Sequence, residues 1–237
     1  MTEKLISGLK QLNINVNDEK LTANNFEIYM NELISWNENV NLTAITEPDE
    51  VVTKHFLDSV SAQEFIKEGA SVIDVGCGAG FPGLPIKMVR DDIKLTLLDS
   101  LDKRLKFLAY VINETGVNDV TLLHSRAEDG GRNKDTREKF DVAVSRAVAN
   151  MSVLLEYCLP FVKVGGRFIA LKGPAVEEEL ASAKKAMEVL GGKLIGVKEI
   201  NVPFTDLSHN IVIVEKVRGC SKEYPRKAGT PSKKPIK

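Results

Sequence analysis

Residues 71–85, SVIDVGCGAGFPGLP, constrain the fold of this chain more than any other stretch, because an apolar run ends at an acid and passes into a glycine-studded turn that opens a helix. Val72, Ile73 and Val75 read as a buried strand. Gly76, Gly78 and Gly80 let the backbone turn with positive φ and leave no side chains to exclude a ligand. A dinucleotide fingerprint places glycines at its first, third and sixth positions. Counted from Gly76, the sixth position here is Phe81, and the pattern is DxGxGxG. This form suits S-adenosylmethionine (AdoMet), which has no pyrophosphate to seat on a helix N-terminus and needs an acidic strand end for its cationic part. The same turn can also serve only to pack helix on strand in a doubly wound sheet.

The next apolar run, residues 94–98, ends at Asp99, where doubly wound folds place a carboxylate on the ribose hydroxyls. Asp99 or Ser100 can equally cap the segment that begins at Leu101. Further candidate strands cover 119–123, 140–145, 166–172, 193–200 and 209–216, with helices or turns between them. NVPFTDLSH is too short for a crossover helix and contains Pro203, so the last two strands are expected to form an antiparallel hairpin at one sheet edge. The fold class is therefore α/β: a Rossmann-like methyltransferase sheet of seven mostly parallel strands with an N-terminal helical extension. In that extension, residues 1–68, Asp18 can cap a long helix carrying Leu21, Phe26, Tyr29, Leu33 and Trp36, and Pro48 marks another helix start. The methyltransferase domain is expected over 69–217.

Hydrophobic residues make up 43% of the 237 positions and charged residues 27%, the balance of an ordinary globular chain. Cys77, Cys158 and Cys220 are far apart and odd in number, and His55, His124 and His209 are scattered, so neither a disulfide framework nor a metal site is indicated. No segment approaches the roughly twenty apolar residues of a membrane span, and the N-terminus does not read as a signal peptide. A cytoplasmic setting is expected. The net charge of −1 conceals an asymmetry: the chain from Lys216 onward carries +7 and the rest −8. Attraction to polyanions is thus concentrated in a tail, 218–237, whose prolines, glycines and lysines predict an extended or disordered segment.

Other residues fall at strand ends that face a ligand crevice. SRAE at 125–128 follows the third strand, where a backbone amide and Glu128 can read an adenine edge, or Glu128 can be a plain loop charge. Arg146 ends the fourth strand within SRA (145–147), placed for a substrate phosphate or base edge, or for a salt bridge. Lys172, in LKGP, ends the fifth and faces the same crevice. Lys103, Arg104 and Lys106 form either a solvated basic face or an RNA contact. There is no NPPY or DPPY turn for an exocyclic amine and no cysteine placed to attack a pyrimidine ring, which disfavours amino and ring-carbon methylation. A nicotinamide-dependent oxidoreductase is disfavoured by Phe81. A methyltransferase-fold protein that acts on another substrate, such as a small molecule or a protein, or that binds RNA without catalysis, is the remaining alternative.

Taken together, WNENVNLTAIT (36–46), HFLDS (55–59), DVGCGAGFPGLP (74–85), LLDSLDKRLKFL (97–108), SRAE, SRA, LKG and PRKAGTPSKKP (225–235) resemble the glucose-inhibited division protein B family of bacterial small-subunit ribosomal RNA guanine-N7 methyltransferases. The resemblance covers nearly the whole chain. It implies AdoMet-dependent methylation of guanine N7 at position 527 of 16S ribosomal RNA, without a general base, by a cytoplasmic protein expected to act as a monomer on RNA or the small subunit. It also implies that Gly76, Phe81, Ala127, Glu128 and Arg146 contact the cofactor, with Asp74, Gly78, Gly80 and Asp99 in support. Arg146 can then touch cofactor, substrate or both. His55, Lys172 and the tail residues Arg226, Lys227, Lys233 and Lys234 are the implied substrate contacts.

Overall fold

The computed structural model describes residues 1–146, 149–206 and 208–237; Ala147, the last residue of SRA, lies outside them. Seven strands form one sheet: β1 (Ser71–Val75), β2 (Lys94–Asp99), β3 (Val120–His124), β4 (Phe140–Arg146), β5 (Val162–Lys172), β6 (Gly192–Asn201) and β7 (Ser208–Lys216). Their order is β3-β2-β1-β4-β5-β7-β6. Strands β1 to β5 pair in parallel, and β7 runs antiparallel to both β5 and β6. The expected edge hairpin is therefore present, with β7 inserted beside β5 and β6 outermost.

Alternation along the strands divides the core between two faces. Val72, Val142, Val144, Ile169, Leu171, Ile211 and Ile213 face one layer, and their neighbours Ile73, Ala143, Phe168, Ala170, Val212 and Val214 face the other. The first layer contains α1 (Thr2–Gln11), α2 (Glu19–Val40), the short α3 (Pro48–Glu50) and α4 (Asp58–Val60) joined by a π-helical turn Val51–Leu57, then α5 (Gly83–Val89) and α6 (Asp102–Thr115). After α7 (Ala127–Gly130), which follows β3, α8 (Met151–Cys158) and α9 (Val176–Val189) build the second layer. The Asp18 side chain caps α2 through the amides of Lys20 (2.9 Å) and Leu21 (3.0 Å), and Pro48 stands in the first turn of α3, both in keeping with the sequence signals. The N-terminal helices share their core with β1, α5 and α6, so they extend the same packed body.

The tail departs from the extended or disordered segment expected of it. Arg132 donates to the Pro225 carbonyl (2.7 Å), and Arg137 donates to those of Tyr224 (2.7 Å), Cys220 (3.0 Å) and Ser221 (3.1 Å). Pro231 is buried, and residues 230–233 form a last helical turn, α10 (Thr230–Lys233). A segment poor in apolar side chains is held here through its own carbonyls by two arginines from the loop before β4, a contribution that composition does not register.

Candidate active site

The glycine loop leaves β1 at the carboxyl end of the sheet, where open α/β folds bind ligands. The amides of Gly76 and Cys77 donate to the Leu98 carbonyl (2.9 and 3.0 Å), and the Gly78 amide donates to Asp99 Oδ2 (2.9 Å). Gly76, Gly78 and Gly80 all have positive φ, at 74°, 58° and 101°. Behind the loop, the buried Tyr29 of α2 donates its hydroxyl to the Ala79 carbonyl. Its ring stacks on Phe81 with centroids 5.5 Å apart.

A cleft of about 490 Å³ opens in front of this loop, lined by Gly76, Asp99, Ala127, Glu128 and Arg146 among others. This volume lies within the range of small-ligand sites. Asp99 is nearly buried and also accepts from the Leu101 amide (2.9 Å) and from Arg104 Nη1 (3.3 Å). It therefore braces the start of α6 while facing the cleft. Nothing stands within 4 Å of where a Gly78 Cβ would project, which leaves the loop backbone open to a ligand. Two carboxylates, loop backbone and apolar Leu98 and Ala127 form a lining that suits a nucleoside such as AdoMet; Arg104, Arg126 and Arg146 also line it, Arg104 paired with Asp99 and Arg146 with Asp58. A comparable volume of about 500 Å³ lies at the opposite ends of the strands, among Asp18, Asp91, Asp92 and Asp119. It lacks the glycine loop.

Asp74, expected to meet the cofactor's cation, does not line the cleft. It is fully buried behind the loop; Oδ2 accepts from the Gly83 amide at the start of α5 (2.8 Å), and Oδ1 has no partner among the described residues. Burial raises its carboxyl to about 7. Phe81 is 7% exposed and lies beneath two side chains, with the His55 ring stacked at 4.4 Å and the Arg146 guanidinium 4.9 Å from its centroid.

Arg146 joins this cleft to the N-terminal helices. Its Nη1 donates to Asp58 Oδ2 (2.7 Å) and to the Lys54 carbonyl (3.2 Å), and its Nη2 lies 3.2 Å from His55 Nδ1. Asp58, 1% exposed, turns its other oxygen to His209 Nδ1 on β7 at 2.6 Å. Burial alone would raise the Asp58 carboxyl, but the His209 hydrogen bond and the Arg146 charge outweigh it and hold the carboxyl below its usual range. The same hydrogen bond raises the His209 imidazole.

Burial and then the Arg146 charge lower His55 to about 4, so it is neutral at pH 7. Its Nδ1 accepts from Arg146, which leaves the proton on Nε2 to donate to Thr43 Oγ1 (2.7 Å). Both nitrogens are engaged, so His55, a substrate candidate by sequence, acts here as a wedge between Phe81, Arg146 and Thr43. A histidine with a depressed folded-state value gives full stability above its unfolded value near 6.5. That stability is lost as pH falls toward 4, because the unfolded chain takes up the proton first. Urea titrations should therefore show the wild type losing about 2–3 kcal/mol more than His55→Gln between pH 6.5 and 4. Parallel pH profiles would remove this role.

The other substrate candidates are placed less uniformly. Lys172 is 9% exposed; its Nζ pairs with Glu179 (2.6 Å) and donates to the Ala149 carbonyl (3.0 Å), holding the approach to α8 instead of facing the crevice. Arg226 is committed to the fully buried Glu156, with Nη2 to Oε2 at 2.6 Å and Nε to Oε1 at 2.9 Å. Lys227, Lys233 and Lys234 are exposed. Asp58 and His209 were not singled out by sequence reasoning as site residues. Asp58 carried a signal as part of HFLDS, whereas His209 stands 151 positions away from it and carried none.

Comparison with known proteins gives consistent results. A family model described as rRNA small subunit methyltransferase G (GidB) matches residues 22–208. A protein of Clostridium botulinum (strain Eklund 17B / Type B) named ribosomal RNA small subunit methyltransferase G is 56% identical over 214 residues, covering 90% of each chain. One of the same name from Alkaliphilus metalliredigens is 50% identical over the whole of both chains. Among solved structures, M. jannaschii TYW2 in complex with AdoMet aligns with a TM-score of 0.52 at 16% identity, over 68% of this chain and 74% of that one. A SAM-dependent O-methyltransferase from Thermotoga maritima aligns at 0.53 and 18% identity, over 80% and 72%. At such identities these structures speak for the fold alone.

Proposed function

The chain belongs to the rRNA small subunit methyltransferase G (GidB) family of AdoMet-dependent enzymes, and from that premise we propose that it methylates N7 of the guanine at position 527 of 16S ribosomal RNA, acting in the cytoplasm. The observation that carries this reading is the convergence of Gly76, Asp99, Ala127, Glu128 and Arg146, from separate strand ends, on one cleft at the carboxyl edge of the sheet. Those residues would hold AdoMet, with Asp99 placed for hydroxyl groups and Ala127 and Glu128 for the base. Asp74, Gly80 and Phe81 act from behind the wall as supports.

When bound, AdoMet supplies a methyl group carried on a positively charged sulfur. Guanine N7 presents an in-plane lone pair at neutral pH, so the chain is not required to remove a proton, and the engagement of both His55 nitrogens agrees with that. The task of the site is then orientation, which can supply roughly 7–11 kcal/mol of a two-body barrier. Methyl transfer moves positive charge to the base. A bare cation nearby would oppose it, but Arg146 is charge-paired with Asp58 at 2.7 Å and can orient a ligand without that penalty. The exposed Lys227, Lys233 and Lys234 supply phosphate contacts on the tail side, as their charge suits.

The test is methyl transfer from labelled AdoMet to small-subunit particles from cells lacking the enzyme, mapped by strand cleavage specific for N7-methylguanine. One cleaved guanine at position 527 is the expected result. Label elsewhere would reassign the substrate atom, and AdoMet binding without transfer to particles or naked RNA would overturn the proposed substrate.

A further inference from the structure

The cofactor cleft has a wall that the glycine-loop motifs do not contribute. Gly229 and Ser232, from the C-terminal segment, line it together with Tyr157 of α8. The Gly229 amide donates to Glu128 Oε1 at 2.8 Å, on the residue that the site offers to a base edge. Three residues earlier, Glu156 receives both the Arg226 backbone amide (2.7 Å) and its guanidinium (2.6–3.2 Å). Glu156 is fully buried, so its charge requires this partner.

We propose that the segment 225–233 is the base-side wall of the AdoMet cleft and that Arg226, locked on Glu156, is the positioning residue that sets it. The inference rests on the reading of the cleft as the AdoMet site and adds to it a dependence of cofactor affinity on the docked tail. Geometry favours this role over a purely RNA-binding one for the anchor. Arg226 spends its donors on Glu156 inside the protein, while Lys227, Lys233 and Lys234 on the same segment stay exposed. One short segment thus carries both cleft-lining residues, Gly229 and Ser232, and exposed cations. Occupancy by a polyanion outside and by cofactor inside both favour the docked tail, so each should tighten the other.

The test is calorimetric titration of AdoMet into the full-length protein, with no RNA present, for the wild type and three variants. Arg226→Gln removes the anchor charge and Arg226→Lys keeps an ion pair on Glu156. Gly229→Val leaves Arg226 and Glu156 in place but forces a β-branched residue into φ +78°, which strains the turn in the cleft wall. The Kd for AdoMet is expected to rise about tenfold in Arg226→Gln and Gly229→Val and to be largely restored in Arg226→Lys. If Arg226→Gln does not fold, judged by circular dichroism, the Gly229→Val titration decides. An unchanged Kd in a folded Gly229→Val variant, with wild-type binding intact, would overturn the inference and leave the methyltransferase reading standing. No binding by the wild type would overturn the assignment of the cleft, and this inference with it.

Discussion

Asp58→Ala is expected to destabilise the protein by roughly 3–5 kcal/mol, the usual cost of removing one partner from a buried ion pair. The carboxylate is 1% exposed and serves two elements at once, Arg146 at 2.7 Å and His209 at 2.6 Å. Its loss leaves the Arg146 guanidinium, 13% exposed, without a counter-charge against the Phe81 ring. Arg146 lines the cleft, so AdoMet affinity should fall along with stability. Asp58→Asn keeps an acceptor and should cost less than Asp58→Ala in both readouts. A second signature separates this network from generic damage. The His209 imidazole, raised in the wild type by its bond to Asp58, should return toward its ordinary value in either variant, a shift that NMR titration can follow. Urea midpoints within experimental error of wild type would show that the pair contributes nothing.

Gly80→Ala should cost roughly 3–5 kcal/mol, combining backbone strain with overpacking. Its φ of 101° is a conformation that L side chains rarely adopt. An added Cβ would stand 2.5 Å from the Tyr29 hydroxyl oxygen and 2.8 Å from Leu108 Cδ2. The loop would have to move from Tyr29, which holds it from behind through the Ala79 carbonyl, so AdoMet binding should weaken as well. Tyr29→Phe alone removes that hydrogen bond and should cost about 1–3 kcal/mol. In the double variant the obstructing oxygen is already gone, so the two costs should sum to less than their separate values. Strict additivity in denaturant titrations would show that the close approach is relieved elsewhere.

The parts of the site that were legible beforehand are those encoded within a few residues. The glycine loop after β1, the acid closing β2 and the SRAE turn after β3 could each be read because one strand end supplies each of them. Asp74 shows the limit of such reading. Its place in the motif was evident, but whether its carboxylate faces the ligand or the helix behind the loop depends on packing, and it turned to the Gly83 amide. Lys172 and Arg226 show the same limit from the side of charge. Each looked available to RNA as a cation at a strand end or in a basic tail, and each is consumed by a carboxylate, Glu179 or the buried Glu156.

The sequence by itself determined the seven-strand α/β class, the antiparallel hairpin, the glycine loop and the family, because alternation, turn residues and short motifs act over distances that the chain spans locally. Only the tertiary structure decided what brings Asp58 to Arg146 and His209, what neutralises His55, and why a polar tail lies against the cleft. Those outcomes depend on pairings 70 to 151 residues apart. A buried charge or hydrogen-bonding group must find a partner wherever the fold places one, and no local pattern records which partner that will be.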